Sequence, residues 1–226
     1  MSMRTRWRPL FGGGGRGLRD VPPSSIRTAE MRMTRWSYVS DACGKLKRVK
    51  HVALLRGINV GGKNLLSMKD LAGMFETAGC RDVRTYIQSG NVVFSATAAV
   101  VPKLPDSITK AVETRFRFRV PVVVRTAEEL ARVCRANPFL KTGVDEKWLH
   151  VYFLADVPGA AAIAALDPNR SAPDVFHVHN REIYLHLPNG MGRTKLTNAY
   201  FDSKLATIST ARNWATVQKL LAMMEE

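Results

Sequence analysis

Between His51 and Arg125 the apolar residues change period in an order that few architectures accommodate. His51 to Ile58 reads as a buried strand, apolar from Val52 to Leu55. Ser67-Met-Lys-Asp70 has capping-box form, and Met68, Leu71, Phe75 and Ala78 then recur at helical spacing up to Gly79. Val83 to Gln88 and Asn91 to Ser95 read as strands joined at Ser89-Gly90, a hairpin signal. Ile108, Val112 and Phe116 mark a second helix, and Val120 to Arg125 is a valine-rich fourth strand.

The order βαββαβ is the split arrangement of ferredoxin-like domains. In that topology the loop after the first strand, the turn at Gln88 to Asn91 and the stretch Arg115 to Arg119 all lie at one end of the sheet. Residues 126–226 read as a smaller α/β domain. A helix is expected over Ala127 to Arg135, a strand over Trp148 to Ala155 and a short alanine-rich helix over Pro158 to Leu166. Asp174 to His179 and Glu182 to Leu187 form a hairpin. Placing Phe176, Val178, Ile183, Leu185 and Leu187 on one face requires a two-residue loop at Asn180-Arg181, with His179 opposite Glu182. Two helices close the chain, the last with Trp214, Val217, Leu221 and Met224 on one side. The class is therefore α+β: a ferredoxin-like domain at 50–125 followed by an α/β domain at 126–226.

The formal charge of +15 suggests nucleic acid until it is divided along the chain. Residues 1–50 hold 12 Lys/Arg against 3 Asp/Glu, leaving 22 against 16 for the rest. Residues 1–49 are expected to be a disordered basic extension, and a basic tail can bind nucleic acid electrostatically. The body is only moderately basic. No apolar run reaches membrane-spanning length, and no secretory signal pattern is present, so the expected location is cytoplasmic, without a membrane partner. Cys43, Cys80 and Cys134 build neither a disulfide framework nor a paired-cysteine metal motif.

Four stretches concentrate glycine, asparagine and cations: HVALLRGINVGGKN (51–64), YIQSGNVVF (86–94), NGMGRTKLTN (189–198) and STARNW (209–214). Occurring in this order, they resemble a family of bacterial proteins known as domain of unknown function 1697, over about residues 50–226. The resemblance implies a family and brings no activity with it. Arg56, Asn59, Lys63, Asn64, Gln88, Asn91, Arg193, Lys195, Arg212 and Asn213 match its motif positions and are the candidate ligand-binding residues. Cations and amides on glycine-rich loops suit an anion, so the expected partner is a phosphate-bearing small molecule or nucleic acid. Ser209-Thr210 read as the cap of a helix that carries Arg212 and Asn213 at its start. The alternatives are an enzyme acting on a phosphorylated or carboxylated metabolite, and a partner-binding protein whose motifs only hold loops. In that last case Asn59 and Asn64 tie down their own backbone.

Several other chemistries fit poorly. Gly57 to Asn64 approaches the phosphate loop GxxxxGK[ST], but Asn64 stands where a hydroxyl must hold magnesium. His177, His179 and His186 share a hairpin face with Glu182 and Tyr184, yet neighbours on a pleated face are about 7 Å apart, too far for one metal ion. No metal or cofactor is expected. The first strand has no aromatic on which an RNA base could stack.

Limited proteolysis is predicted to remove the basic tail and leave a resistant core beginning near Lys50. A protected tail would contradict this.

Overall fold

A computed structural model describes residues 47–226. The expectation for the basic tail therefore falls, up to Leu46, outside the described residues. The first half comprises β1 (Arg48–Leu55), α1 (Met68–Thr77), β2 (Arg81–Tyr86), β3 (Asn91–Thr97), α2 (Leu104–Phe116) and β4 (Val122–Thr126). Its strands run β2-β3-β1-β4, each antiparallel to its neighbours. β1 lies three residues earlier than the strand read from the sequence. Arg48 and Val49, assigned by pattern to the extension, already pair with Thr97 and Ala96. At the other end Gly57 and Asn59, with φ of 73° and 53°, cannot continue a strand.

Ser67 caps α1 by accepting from the Asp70 amide, as the capping-box spacing predicts. The β2–β3 turn holds four residues, Ile87 to Gly90, and folds back on the end of β1. There Leu55 N–H donates to Gly90 O at 2.8 Å. Gly90 has φ +74°, and a Cβ on it would stand 2.7 Å from Leu55 Cβ, so no larger residue fits. The chain entering β4 reaches the same end, where Arg56 N–H donates to Pro121 O. The predicted convergence of three segments at one sheet edge is thus present.

The second half comprises α3 (Ala127–Ala136), β5 (Leu149–Leu154), α4 (Ala160–Ala164), β6 (Val175–His179), β7 (Glu182–His186), α5 (Asn198–Leu205), β8 (Ser209–Asn213) and α6 (Trp214–Glu225). His179 pairs with Glu182 across Asn180-Arg181, the register that the apolar pattern requires. One element corrects the sequence reading. Ser209 to Asn213 is a strand along β5, from Leu154↔Ser209 to His150↔Asn213, and not a helix start. The cap of α6 is Asn213, whose side chain accepts from the Thr216 amide. With β8 included, β5-α4-β6-β7-α5-β8 repeats the element order of the first half. The strand order β6-β7-β5-β8 repeats its sheet. Among the described residues the chain is therefore α+β, with two four-stranded antiparallel sheets and six α-helices.

Alternation along the strands divides the interior into three layers. Ala53 and Leu55 face α1 and α2 with Phe75, Ile108 and Val112. Tyr152, Leu154 and Ile183 face α5 with Tyr200 and Phe201. Between them Val52, Leu54 and Val123 of one sheet share a core with Val151, Phe153 and Tyr184 of the other, and with Leu130, Trp214 and Val217 of α3 and α6. Tyr184 and Glu182, which the hairpin pattern placed on a half-exposed face, are turned into this layer and buried. Glu182 has a specific partner there. Arg125 on β4, 1% exposed, donates Nε–H to Glu182 Oε1 at 2.9 Å and Nη2–H to Leu154 O at 2.6 Å.

Breaking that pair leaves a guanidinium buried without its counter-charge. Glu182→Ala is predicted to lose about 3–5 kcal/mol in urea denaturation, and Arg125→Met with Glu182→Leu to recover most of it. A single variant as stable as the parent protein would contradict the packing described.

Candidate anion site

The loop after β1, the β2–β3 turn, β5, β8 and the first residues of α5 and α6 enclose an open cleft of about 580 Å³. Its polar lining comes from Arg56, Ser89, His150, Asn198, Thr210, Arg212, Asn213 and Thr216, and none of its lining residues is acidic. Parts of all four glycine- and asparagine-rich stretches meet here, although their nearest and furthest members are more than a hundred residues apart in sequence.

Arg212 forms the inner wall. Its Nε–H donates to Asn91 Oδ1 at 2.5 Å. Its Nη1 donates to Thr210 Oγ1 at 2.9 Å and Ala211 O at 2.7 Å. Its Nη2 donates to the carbonyls of Leu55 at 2.7 Å, Ser89 at 3.1 Å and Gly90 at 3.2 Å. The acceptors satisfy the donors without neutralising the charge, because carbonyl, hydroxyl and amide oxygens carry only partial charges. Burial alone lowers the Arg212 guanidinium to about 10, so it stays protonated at neutral pH. Arg56 stands beside it. Its Nη1 donates to Asp202 Oδ2 at 2.5 Å and Ser209 O at 2.9 Å, and the side chain is 29% exposed.

His150 lines the same cleft across the β5–β8 ladder from Asn213. Burial lowers its pKa below the ordinary imidazole range, while the Trp148 carbonyl, 3.4 Å from Nδ1, opposes the shift. A carbonyl only accepts, so Nδ1 carries the proton of the neutral ring and Nε2 is left as an acceptor.

The internal repeat supplies a control for this geometry. Arg125 and Arg212 occupy the fourth position of the last strand in each sheet, opposite Val52 and Val151. Each reaches into the other half, to the first residue of β7 or β3 and to the carbonyl ending β5 or β1. They differ in one respect. Arg125 meets the carboxylate of Glu182, which opposes the lowering of its pKa by burial, and Arg181 beside it pairs with Glu129 at 2.5 Å. Arg212 meets the neutral amide of Asn91, and among the described residues no carboxylate pairs with it.

The ten candidate residues separate into groups. Arg56, Arg212 and Asn213 line the cleft. Arg212 does so from a strand, buried, and not from a helix start. Asn59 and Asn64 hold the loop. Asn59 Nδ2 donates to Leu66 O and Gln88 O, its Oδ1 accepts from Leu66 N–H, and Asn64 Nδ2 donates to Gly57 O. Both sit at positive φ, which asparagine tolerates. Asn91 is buried as the acceptor for Arg212. Lys63 and Gln88 are exposed and do not line the cleft, and α1 starts too late for Lys63 to enter its first turn. Arg193 and Lys195 line a separate hollow with Arg170, Ser171 and Asp174. Sequence reasoning missed His150, Ile87, Met191 and Asn198. The signal for His150 was its likeness to His51, since each opens a His-Val step in the central strand of its half. Among the described residues no cluster of His, Cys, Asp and Glu could hold a metal ion, and no helix is long and apolar enough to cross a membrane.

The chain belongs to the family described as protein of unknown function DUF1697, whose model matches residues 49–184. The first two of the four stretches lie inside that match and the last two beyond it. The fold is similar to that of the conserved bacterial protein SP0830 from Streptococcus pneumoniae, at 20% identity and a TM-score of 0.61, over 80% of this chain and 100% of that one. No curated protein matches the chain.

The burial of Arg212 reverses what a helix-start cation would do. Arg212→Met is predicted to lose about 3 kcal/mol or more in urea denaturation, because the carbonyls it serves lose their donors. Arg193→Ala and Lys195→Ala, at exposed positions, should stay within about 0.5 kcal/mol. A neutral Arg212 variant would contradict the network.

Proposed function

We propose that this protein binds a small phosphate- or carboxylate-bearing ligand in the cleft beside Arg212. The observation that carries the reading is the difference between the two equivalent arginines. One is neutralised by Glu182, while the other keeps its charge next to an open, acid-free cleft. A buried cation attracts an anion strongly because little water intervenes to screen it. Arg56 adds a second guanidinium, which pairs with Asp202 through Nη1 and keeps its Nε and Nη2 donors for a ligand. The first turn of α6, entered through Asn213, adds amides that favour negative charge. Arg212 has its donors engaged, so it acts through its field, and Arg56 is the direct contact. The fold assignment that accompanies this reading is two ferredoxin-like domains, at 50–125 and 126–226. Its support is the all-antiparallel order β2-β3-β1-β4 and its repeat.

A second reading, an enzyme acting on that ligand, is favoured by His150. A neutral imidazole with an accepting Nε2 in an anion cleft can take a proton from a bound ligand. Nucleic acid is the less supported partner, since the cleft is a recess and not a track of cations.

Asn91→Asp tests the assignment. It gives Arg212 the carboxylate that Arg125 already has, at the cost of two donations from Asn91 Nδ2, to Ser89 Oγ at 2.9 Å and to Tyr86 O at 3.2 Å. The Ser89 hydroxyl can replace the first by donating to the new carboxylate. The variant is predicted to remain folded and to bind inorganic phosphate about tenfold or more weakly, the scale of one unit charge acting over several Å at an effective dielectric of about 20. Calorimetric titration of both proteins measures this, with a single-stranded oligonucleotide as a further titrant at two salt concentrations. Unchanged phosphate affinity would overturn the reading. Oligonucleotide binding that falls steeply with salt would replace it with a nucleic-acid one.

A further inference from the structure

The chemistry of the cleft away from its arginines narrows the ligand further. The lining that includes Arg56 and Arg212 also has aliphatic members, Ile58, Val60, Ile87 and Met191. Two of these residues are out of place by ordinary folding criteria. Val60 is 64% exposed and Ile87 is 53% exposed, and both line the cleft. Ile87 also has φ +47°. The left-handed region is unfavourable for a β-branched side chain, and a turn of this kind would be served better by glycine or asparagine. An isoleucine that is both strained and exposed gains little from folding, and it shares the lining of one cleft with Val60 and Met191, which makes apolar surface available to a ligand.

The size of the recess points the same way. At about 580 Å³ it falls within the roughly 300–1,000 Å³ of small-molecule sites. An inorganic anion spans only a few water volumes of about 30 Å³ each and would leave most of the space open.

We infer that the ligand is an amphipathic anion. Its phosphate or carboxylate lies toward Arg56 and the field of Arg212, and a compact apolar body of ring or short-chain size is held between Ile87, Val60 and Met191. This rests on the anion reading of the same cleft and adds the second half of the ligand to it. Polar sugars and bare oxyanions are poor occupants, because they would desolvate hydroxyls or leave the aliphatic wall wet.

The test is calorimetric titration with phenyl phosphate, adenosine monophosphate, octanoate and inorganic phosphate, on the full chain and on Ile87→Asn. The substitution suits the left-handed turn and removes the apolar surface. Phenyl phosphate is expected to bind at least about tenfold more tightly than inorganic phosphate, from the apolar surface it buries. Adenosine monophosphate or octanoate sharing that advantage would identify the body as a nucleobase or an alkyl chain. In Ile87→Asn the ratio of the two affinities should shrink by about fivefold or more, with the thermal transition at or above that of the parent protein. Equal affinity for phenyl phosphate and inorganic phosphate would overturn the inference and leave the anion reading standing. Undiminished preference in Ile87→Asn would overturn it as well. Binding of none of the four would overturn both.

Discussion

Two guanidinium groups are buried where the halves of the molecule meet, and the rest of the structure is arranged around keeping them satisfied. A buried cation is costly unless every donor has an acceptor. Each half supplies its own arginine only with acceptors beside it on the same strand, Val124 O for Arg125 and Thr210 Oγ1 and Ala211 O for Arg212. The remaining acceptors come from the other half. Arg125 leaves the first sheet for Leu154 O, Arg181 O and Glu182, and Arg212 leaves the second for Leu55 O, Ser89 O, Gly90 O and Asn91. The carbonyls in question end inner strands or sit in hairpin turns, and Gly90 O and Arg181 O also accept the Leu55 and Leu154 N–H groups on their second lone pairs. Each half therefore completes the strand ends of the other. The shared layer of Val52, Leu54, Val151, Tyr184 and Trp214 then holds the two sheets at the separation that these contacts require.

A repeated architecture makes differences between its copies informative. The same exchange is built twice, with a carboxylate in one copy and an amide in the other. Around Arg125 the charges of Glu182, Arg181 and Glu129 close on one another. Around Arg212 the carboxylate of Asp202 pairs with Arg56 and, among the described residues, leaves Arg212 itself without a counter-charge, while Asn59 and Asn64 tie the backbone of the loop after β1. Stability alone would be served by the first solution in both places. The second places a buried cation, a histidine and aliphatic side chains in the lining of one recess, and the proposed ligand site rests on that difference.

Much of this was legible in the sequence, and for identifiable reasons. β1, α1 and the β2–β3 hairpin follow from apolar period and from Ser67, and the β6–β7 register follows from the requirement that five apolar residues share a face. The roles of Asn59 and Asn64 were readable from their side chains beside glycines. β8 was not. Ser209 to Asn213 has no apolar alternation and begins like a helix cap, and it is extended only because β5 needs a partner on that edge. With β8 unread, the repeat was hidden, and with it the equivalence of His150 to His51 and of Arg212 to Arg125. Cations look alike in a sequence. Arg193 and Lys195 on a flexible loop carried as much promise as Arg212, and only tertiary burial separates an exposed charge from one held in the interior.

The direct measurement is a nitrogen-15 NMR titration of the arginine Nε–H signals with phenyl phosphate. Buried, hydrogen-bonded guanidinium groups exchange slowly enough to be followed one by one. The two equivalent arginines then serve as probe and control in the same sample. The account predicts that the Arg56 and Arg212 signals move together and saturate, while Arg125 and Arg193 stay in place. Saturable movement of Arg193 with Arg212 unmoved would place the ligand in the other hollow. Equal movement of Arg125 and Arg212 would show that the missing carboxylate makes no difference, and would contradict the account at its centre.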